Sequence, residues 1–224
     1  MQPRSDLVSH EVTNQPPPMG ERDLWAGDPV LTTHAAEAEV SGLASVLGRA
    51  AVAEWGREAN RRLPELRLFD SGGRRLDEVA FTDAYHRLMA LGLEAGYAAG
   101  PWTGGSHLTH AATVYLMSQV EPGTCCPMTM TYAGVPALQA AAPELAETWV
   151  PKLTARAYDP SVAPLSQKRA ATLGMAMTEK QGGSDVRSNT TRAERAGEAW
   201  RLTGHKWFCS APMSDGFLTL AQTR

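Results

Sequence analysis

The side chains best suited to binding or chemistry lie in one glycine-containing segment, residues 176–186. Its adjacent Gly182 and Gly183 permit a tight bend and let a ligand approach the backbone closely. Successive backbone N–H groups in such a bend can surround an oxygen anion or a ring carbonyl, and the hydroxyls of Thr178 and Ser184 add donors at its two ends. The residue types alone leave two interpretations open, a ligand-binding loop and an ordinary surface hairpin loop.

The composition narrows the class of protein. The chain has 224 residues, of which 43% are hydrophobic and 20% charged, as is typical of a soluble globular protein of one large or two small domains. Its net charge of -3 gives no general attraction to nucleic acid or to an anionic membrane. Cys125, Cys126 and Cys209 form neither a disulfide framework nor a spaced metal motif, which favours a reducing, cytoplasmic setting. No signal peptide or membrane-spanning run is expected.

The residues before the glycine-containing segment predict an arm followed by a helical domain. Residues 1–27 are expected to be extended or disordered, or to lie against a partner subunit, because the prolines at positions 16–18 cannot continue a helix. Asp28 and Pro29 then predict a helix start, with an N-cap followed by proline at the first helical position. We expect a helical domain over residues 28–170, with helices at 37–60, from Thr82, at 107–120 after the cap Ser106, and from Pro143. The first of these could break near residues 41–42.

After Ala170 the sequence pattern changes from helical to extended. Strands are predicted for residues 171–177, 188–193, 200–203, 204–210 and 216–221. The expected fold class is therefore α+β, an N-terminal all-α domain followed by the start of an antiparallel β-barrel or sheet domain at 171–224. These strands are too few to close a barrel, so we expect the chain to be the N-terminal portion of a longer protein.

Two groups of residues resemble the acyl-CoA dehydrogenase family. Residues 177–179 followed by 183–185 are similar to its signature, a small aliphatic residue, Thr and Glu and then Gly, Ser and Asp. Residues 204–210 resemble the second flavin-binding strand of the family. More narrowly, residues 14–16, 72–77, 126–131 and 204–208 resemble the AidB branch, whose members belong to the bacterial response to DNA alkylation. The resemblance implies the acyl-CoA dehydrogenase fold, present here without its C-terminal domain.

The resemblance also implies bound FAD. Met177 and Thr178 would face the isoalloxazine ring, with the Thr178 hydroxyl donating to its pyrimidine edge, where donors stabilise negative charge on the reduced ring. Ser184 would lie beside the FAD pyrophosphate or near CoA. Phe208 falls where most relatives carry tryptophan against the flavin, and Ser210 where they carry a threonine near N5. The FAD-binding set that this implies is Met177, Thr178, Gly183, Ser184, Phe208, Cys209 and Ser210.

For function, the resemblance implies α,β-dehydrogenation of a short branched acyl-CoA, such as isovaleryl-CoA, by an FAD-dependent enzyme. The catalytic base of the family is a glutamate from the C-terminal helical domain, so no catalytic residue is expected in this chain. The alternative is a DNA-binding protein that protects DNA from alkylation damage and whose flavin is largely structural. The DNA contacts would then come from the absent C-terminal region, and the implied assembly is a homotetramer.

Several other residues admit both a functional and a structural interpretation. His107 and His110 lie three apart on a predicted helix, but no Cys, Asp or Glu completes a ligand set nearby, so no metal site is expected. Met128, Met130 and Tyr132 could line a ligand cavity beside a flavin or could simply belong to the core. Trp102, in a glycine-rich loop, has no role that the sequence assigns.

Overall fold

The computed structural model describes residues 6–16, 20–35 and 37–223, and it confirms an α+β fold in which the α-helices precede the sheets formed after residue 170. Part of the predicted arm, residues 1–5 and 17–19, lies outside the described residues. The helices are α1 Pro29–His34, α2 Glu37–Leu47, α3 Ala50–Arg61, α4 Asp83–Glu94, α5 His107–Ser118, α6 Pro122–Gln139 and α7 Pro143–Leu153. The strands are β1 Glu65–Phe69, β2 Arg75–Ala80, β3 Leu173–Ala176, β4 Arg192–Ala196, β5 Ala199–Thr203, β6 Gly216–Thr219 and β7 Gln222–Thr223.

Local sequence signals position most helix starts. The Asp28 carboxylate accepts hydrogen bonds from the backbone N–H groups of Val30 and Leu31, and the Ser106 hydroxyl accepts one from Thr109, so both predicted caps are confirmed. Such caps satisfy donors that the first turn of a helix leaves unpaired. Within the described residues, no helix is both long enough and apolar enough to cross a membrane.

The predicted helix over residues 37–60 is two helices, and the predicted position of the break, near residues 41–42, is wrong. The chain turns instead at Gly48, between α2 and α3. A Cβ atom at Gly48 would lie only 1.9 Å from the carbonyl oxygen of Arg22, whose own N–H donates to the Gly48 carbonyl at 2.9 Å. The break therefore falls where a segment of the predicted arm packs against the helices, and Leu24 of that segment is buried in the core.

Helix α6 lies at the centre of the helical part, since it contacts α4, α5, α7 and β3. Its side chains Met128 and Val135 are fully buried. On the neighbouring α4, a Cβ atom at Gly92 would lie 2.5 Å from the Met128 sulfur, so glycine there leaves room for the Met128 side chain between the two helices. Two hydrophobic clusters meet along α6, one among the helices and one that includes Leu173 of β3.

Helix α6 also contains a proline whose missing N–H group is replaced by a side chain. Pro136 cannot donate to the carbonyl of Tyr132, four residues earlier. The indole Nε1–H of Trp102 donates to that carbonyl instead, at 3.1 Å, and its ring stacks on the Tyr132 ring. This contact gives Trp102 a structural role that the sequence did not assign.

Strands β1 and β2 form an antiparallel hairpin that the sequence analysis did not predict. Its turn is organised by Asp70, whose carboxylate accepts hydrogen bonds from the N–H groups of Gly72 and Arg74, and Gly73 has a φ of 79°. All five residues of β1 are exposed, so its alternating Leu66 and Leu68 are not buried against a core. The turn-rich residues between the two strands were interpreted as a connector.

The remaining strands form two small sheets, and no closed barrel forms among the described residues. The expected antiparallel pairing holds for β4 with β5, whereas β3 with β6 and β4 with β7 are parallel. Asp215, just before β6, sets the β3–β6 pairing by accepting from the N–H of Thr172 at 2.8 Å and from the ammonium of the buried Lys168 at 2.6 Å. The two strands thus begin side by side and run in the same direction.

Two of the predicted strands differ in the structure. The segment predicted at residues 188–193 includes the end of a short 3-10 helix, Val186–Ser188, and becomes extended only at β4. The segment predicted at 204–210 is irregular, with isolated pairings and a φ of 57° at Phe208. In both segments, donors bind a side chain instead of a neighbouring strand. The N–H groups of Thr190 and Thr191 donate to the carboxylate of Glu179, and the Lys206 ammonium donates to the same carboxylate.

Candidate functional site

The glycine-containing segment is a tight bend at the end of β3. Glu179 and Gly182 exchange backbone hydrogen bonds, with N–O distances of 3.3 and 3.0 Å. Gly182 has a φ of 157°. A Cβ atom at Gly183 would lie 2.8 Å from the Thr178 hydroxyl oxygen, so glycine at this position lets the bend fold back onto Thr178. We call residues 178–184 the glycine bend.

Glu179 anchors the glycine bend to the rest of the β part. Its side chain is 1% exposed, and six donors surround its carboxylate. Oε1 accepts from the N–H and hydroxyl of Thr191, at 2.9 and 2.6 Å, and from the Lys206 ammonium at 3.0 Å. Oε2 accepts from the N–H and hydroxyl of Thr190, at 2.7 and 2.8 Å, and from the Gln181 side-chain amide at 2.6 Å.

These donors lower the pKa of the Glu179 carboxyl group. Burial alone raises the pKa of this carboxyl group, but the hydrogen bonds from Thr191, Thr190 and Gln181 together outweigh that effect and hold the pKa well below its usual range. Glu179 is therefore ionised at neutral pH. Its charge is balanced by the ammonium of Lys206, which is itself mostly buried.

The glycine bend and the segment of residues 206–210 lie side by side. The N–H of Trp207 donates to the Thr178 carbonyl at 2.9 Å, and Ser210 pairs with Met175 of β3. The ammonium of Lys180 lies 5.2 Å from the centre of the Trp207 ring. The two segments that the sequence predicts to share one ligand are thus direct neighbours.

The predicted flavin-binding residues fall on this shared surface. Met177 is half-buried, and its carbonyl accepts from the Asn189 side-chain amide at 2.8 Å. Phe208 and Cys209 are exposed, Phe208 to 76%. Within the described part of the chain, no hydrogen-bond partner occurs for the hydroxyls of the three remaining polar members, which are Thr178, Ser184 and Ser210.

A cavity of ≈ 380 Å³ opens next to Ser210, between the helical part and the β part. The helical part contributes mostly apolar residues, and the loop after Ser210 closes the other wall. The lining residues are Pro64, Val79, Phe81, Tyr85, Gly123, Cys126, Pro127, Ser210, Ala211, Pro212 and Met213. The sequence analysis did not single out Ala211–Met213 or the Phe81–Tyr85 pair, whose rings stack with centroids 3.9 Å apart.

A second cavity of ≈ 340 Å³ lies beside the first and shares Phe81, Tyr85 and Met213 with it. Its polar wall contains His86, whose Nδ1 lies 2.8 Å from the Tyr158 hydroxyl. Burial lowers the pKa of His86 and raises the pKa of Tyr158. Both side chains are therefore uncharged at neutral pH, so they contribute hydrogen-bonding capacity to this wall without adding charge.

The other predicted candidates have structural partners. His107 Nδ1 lies 2.7 Å from the Tyr132 hydroxyl, and the His110 ring stacks on Tyr132 with centroids 3.8 Å apart. No group of three or more potential metal-ligating side chains occurs within the described ranges. Met128 lies in the core, so its alternative role as a cavity-lining residue is not supported.

A helical part is followed by a β part in which the glycine bend pairs with residues 206–210. This arrangement is that of an acyl-CoA dehydrogenase-type protein. The sequence matches the family "Adaptive response protein AidB N-terminal domain" over residues 14–160 and the family "Acyl-CoA dehydrogenase, middle domain" over residues 174–224. The chain belongs to the AidB family of acyl-CoA dehydrogenase-like proteins.

Individual relatives agree with this assignment. The chain is 44% identical to the putative acyl-CoA dehydrogenase AidB of Escherichia coli (strain K12), over 96% of this chain and 42% of that protein. It is 33% identical to acyl-CoA dehydrogenase family member 11 of Caenorhabditis elegans, over 75% of this chain and 27% of that protein. The crystal structure of C. elegans ACDH-11 in complex with C11-CoA matches with a TM-score of 0.73 and 29% identity, covering 96% of this chain and 39% of that one. The chain thus spans less than half the length of these relatives.

Proposed function

We propose that the chain forms part of the FAD site of an acyl-CoA dehydrogenase-like flavoprotein, in which the glycine bend and residues 206–210 together face the ring. The observation that carries the proposal is the pairing of these two segments through the Trp207 N–H and the Thr178 carbonyl. Without that pairing, the resemblance of each segment to a flavin-binding motif would not amount to a site.

The residues on this surface fit the chemistry of a flavin. An isoalloxazine ring has apolar faces and a polar pyrimidine edge, so it needs an apolar contact surface together with hydrogen-bond donors. The exposed ring of Phe208 offers the first. The hydroxyls of Thr178 and Ser210 offer the second, since neither has a partner among the described residues. Ser184, at the far end of the bend, would bind the FAD pyrophosphate or CoA in this proposal.

In this proposal the chain binds and orients the cofactor and supplies no catalytic base. FAD, when bound, supplies the capacity to accept a hydride from the β-carbon of an acyl thioester. With FAD bound, the Thr178 hydroxyl would donate to the pyrimidine edge and thereby stabilise negative charge on it. Met177 and Phe208 would exclude water from the ring face, and the Ser210 hydroxyl would serve as a further donor to the ring.

The substrate that fits best is an acyl-CoA whose acyl chain enters the apolar cavity beside Ser210. That cavity offers ≈ 380 Å³ and is lined largely by apolar side chains, as is typical of a pocket for an apolar ligand. The relative crystallised with C11-CoA supports an acyl-CoA ligand of this kind. A short branched acyl group such as isovaleryl is a narrower form of the proposal. Duplex DNA binding and a homotetramer stay predictions that concern regions outside this chain.

Titration of the purified protein with FAD tests the proposal, with quenching of flavin fluorescence as the measurement. We expect saturable binding that weakens about five- to tenfold in Thr178→Val, because one hydrogen bond contributes about 1 kcal/mol and about 1.4 kcal/mol is a tenfold change in affinity. Ser71→Ala, in the exposed turn of the β1–β2 hairpin, is the control and should bind like the unmodified protein. An absence of FAD binding by the intact protein would refute the proposal.

A further inference from the structure

Glu179 is a buried, ionised side chain to which the proposed chemistry assigns no task. It follows Thr178 directly in the chain, and its partner Lys206 directly precedes Trp207. Its other donors, Thr190 and Thr191, stand just before β4. One carboxylate therefore contacts three separate stretches of chain, at Gln181, at residues 190–191 and at Lys206. Glu179 itself is one residue away from Thr178, and Lys206 is one residue away from Trp207.

We propose that Glu179 is a positioning residue, whose carboxylate sets the register between the glycine bend and residues 206–210 so that both segments face one planar ligand. This inference rests on the proposed flavin site for the identity of the ligand. Glu179 itself is turned into the protein and contacts protein donors, so it acts through Thr178 and Trp207.

The arrangement of donors makes this carboxylate difficult to replace. Each of its oxygens accepts from one backbone N–H group, Thr191 on Oε1 and Thr190 on Oε2. A backbone N–H group can only donate, whereas a hydroxyl can rotate to accept. A glutamine at position 179 would therefore direct its own NH₂ group at a backbone donor whichever way its amide is turned. The position requires an acceptor on both sides, which only the carboxylate provides.

The expected effect is local, because these contacts lie away from the main core. The two hydrophobic clusters are built around the helices and β3 and do not include Glu179 or Lys206. A change at position 179 should therefore disturb the Thr178–Trp207 pairing and ligand binding more than it disturbs the folding of the helices.

The test compares Glu179→Gln and Lys206→Met with the surface control Glu58→Gln, which weakens only an exposed contact with Arg62. We expect Glu179→Gln to weaken FAD binding at least tenfold and to change the visible circular dichroism of the bound flavin. In the absence of FAD, hydrogen exchange of the Trp207 N–H should become at least tenfold faster. Lys206→Met, which leaves five of the six donors in place, should show smaller changes in the same direction, and Glu58→Gln none.

The outcomes separate this inference from the proposed function. Failure of the unmodified protein to bind FAD would refute the flavin site, while faster exchange at Trp207 in Glu179→Gln would still support the positioning role. FAD binding and Trp207 exchange that are both unchanged in folded Glu179→Gln would overturn it. If Glu179→Gln does not fold, Lys206→Met decides, since unchanged exchange and an unchanged flavin spectrum in that variant would overturn the inference equally.

Discussion

Replacing Trp102 with phenylalanine removes one hydrogen-bond donor from α6 while keeping an aromatic ring on Tyr132. The lost bond is the one from the indole Nε1 to the Tyr132 carbonyl, which Pro136 leaves without its helical partner. An intramolecular hydrogen bond contributes about 1 kcal/mol, and a buried carbonyl left unpaired costs about 1–3 kcal/mol. Because this bond is only partly buried, we expect a destabilisation of about 1–2 kcal/mol.

A second substitution isolates the cause of that loss. Pro136→Ala gives α6 a backbone N–H at position 136, which can donate to the Tyr132 carbonyl in the ordinary helical way. In the Pro136→Ala background, Trp102→Phe should therefore lower the free energy of unfolding only slightly. The coupling free energy between the two positions is expected to be about 1 kcal/mol, within the range that contacting residues show in double-mutant cycles.

The measurement is urea unfolding of the four proteins in this cycle, followed by far-ultraviolet circular dichroism. A loss of 1 kcal/mol corresponds to a fall of about 2–4 °C in the unfolding temperature of a chain of this size. Trp200→Phe is the matched control, because Trp200 lies on the exposed β5. Equal costs of Trp102→Phe in the two backgrounds would refute the reasoning, since the indole donor would then be irrelevant to the carbonyl.

Three further predictions concern stability. Gly134→Ala should destabilise the chain by about 1–3 kcal/mol, as overpacking does. The new Cβ atom would lie 2.4 Å from Leu173 Cδ1. An unchanged midpoint of urea unfolding would contradict this. Asp215→Asn should lower the free energy of unfolding by about 3 kcal/mol, because it leaves the buried Lys168 ammonium without its counter-charge. Equilibrium urea unfolding measures this loss. A loss smaller than that of a surface ion pair would contradict the prediction. Hydrogen bonds from Ser161 and the N–H of Arg169 lower the pKa of Asp159 from 3.8 to about 2. The ionised Asp159 therefore stabilises the fold above about pH 4, and this contribution is lost as the pH falls through about 2. In Asp159→Asn, stability should accordingly change less with pH between about 4 and 2, as acid unfolding followed by circular dichroism would show.

The features that could be predicted from the sequence are those set by neighbouring residues. The caps Asp28 and Ser106 act on N–H groups two or three positions away, so their residue types suffice to predict them. The glycine bend is also local, since Gly183 folds back onto Thr178 within one turn of chain. The chain's resemblance to a family with a known arrangement predicted the meeting of this bend with residues 206–210, which no local pattern indicates.

The features that were missed depend on contacts between distant positions. In β1 charged residues alternate with Leu66 and Leu68, but the run is only five residues long and has no buried face, so its sequence alone did not mark it as a strand. The predicted strands at 188–193 and 204–210 have strand-like compositions, but their polar groups are taken by the Glu179 carboxylate. The six hydrogen bonds that Glu179 accepts could not be predicted from its sequence context, because the donors come together only when the chain has folded.

The parallel pairing of β3 with β6 has a consequence for how this region can vary. Asp215 holds Thr172, 43 positions earlier, so the two ends of the segment that contains the glycine bend are fixed side by side. The entropy of closing a flexible loop changes only slowly with its length, by about 0.6 kcal/mol for each doubling. An exposed turn within this segment can therefore change in length at little entropic cost, while the contact between Asp215 and Thr172 keeps the two ends together.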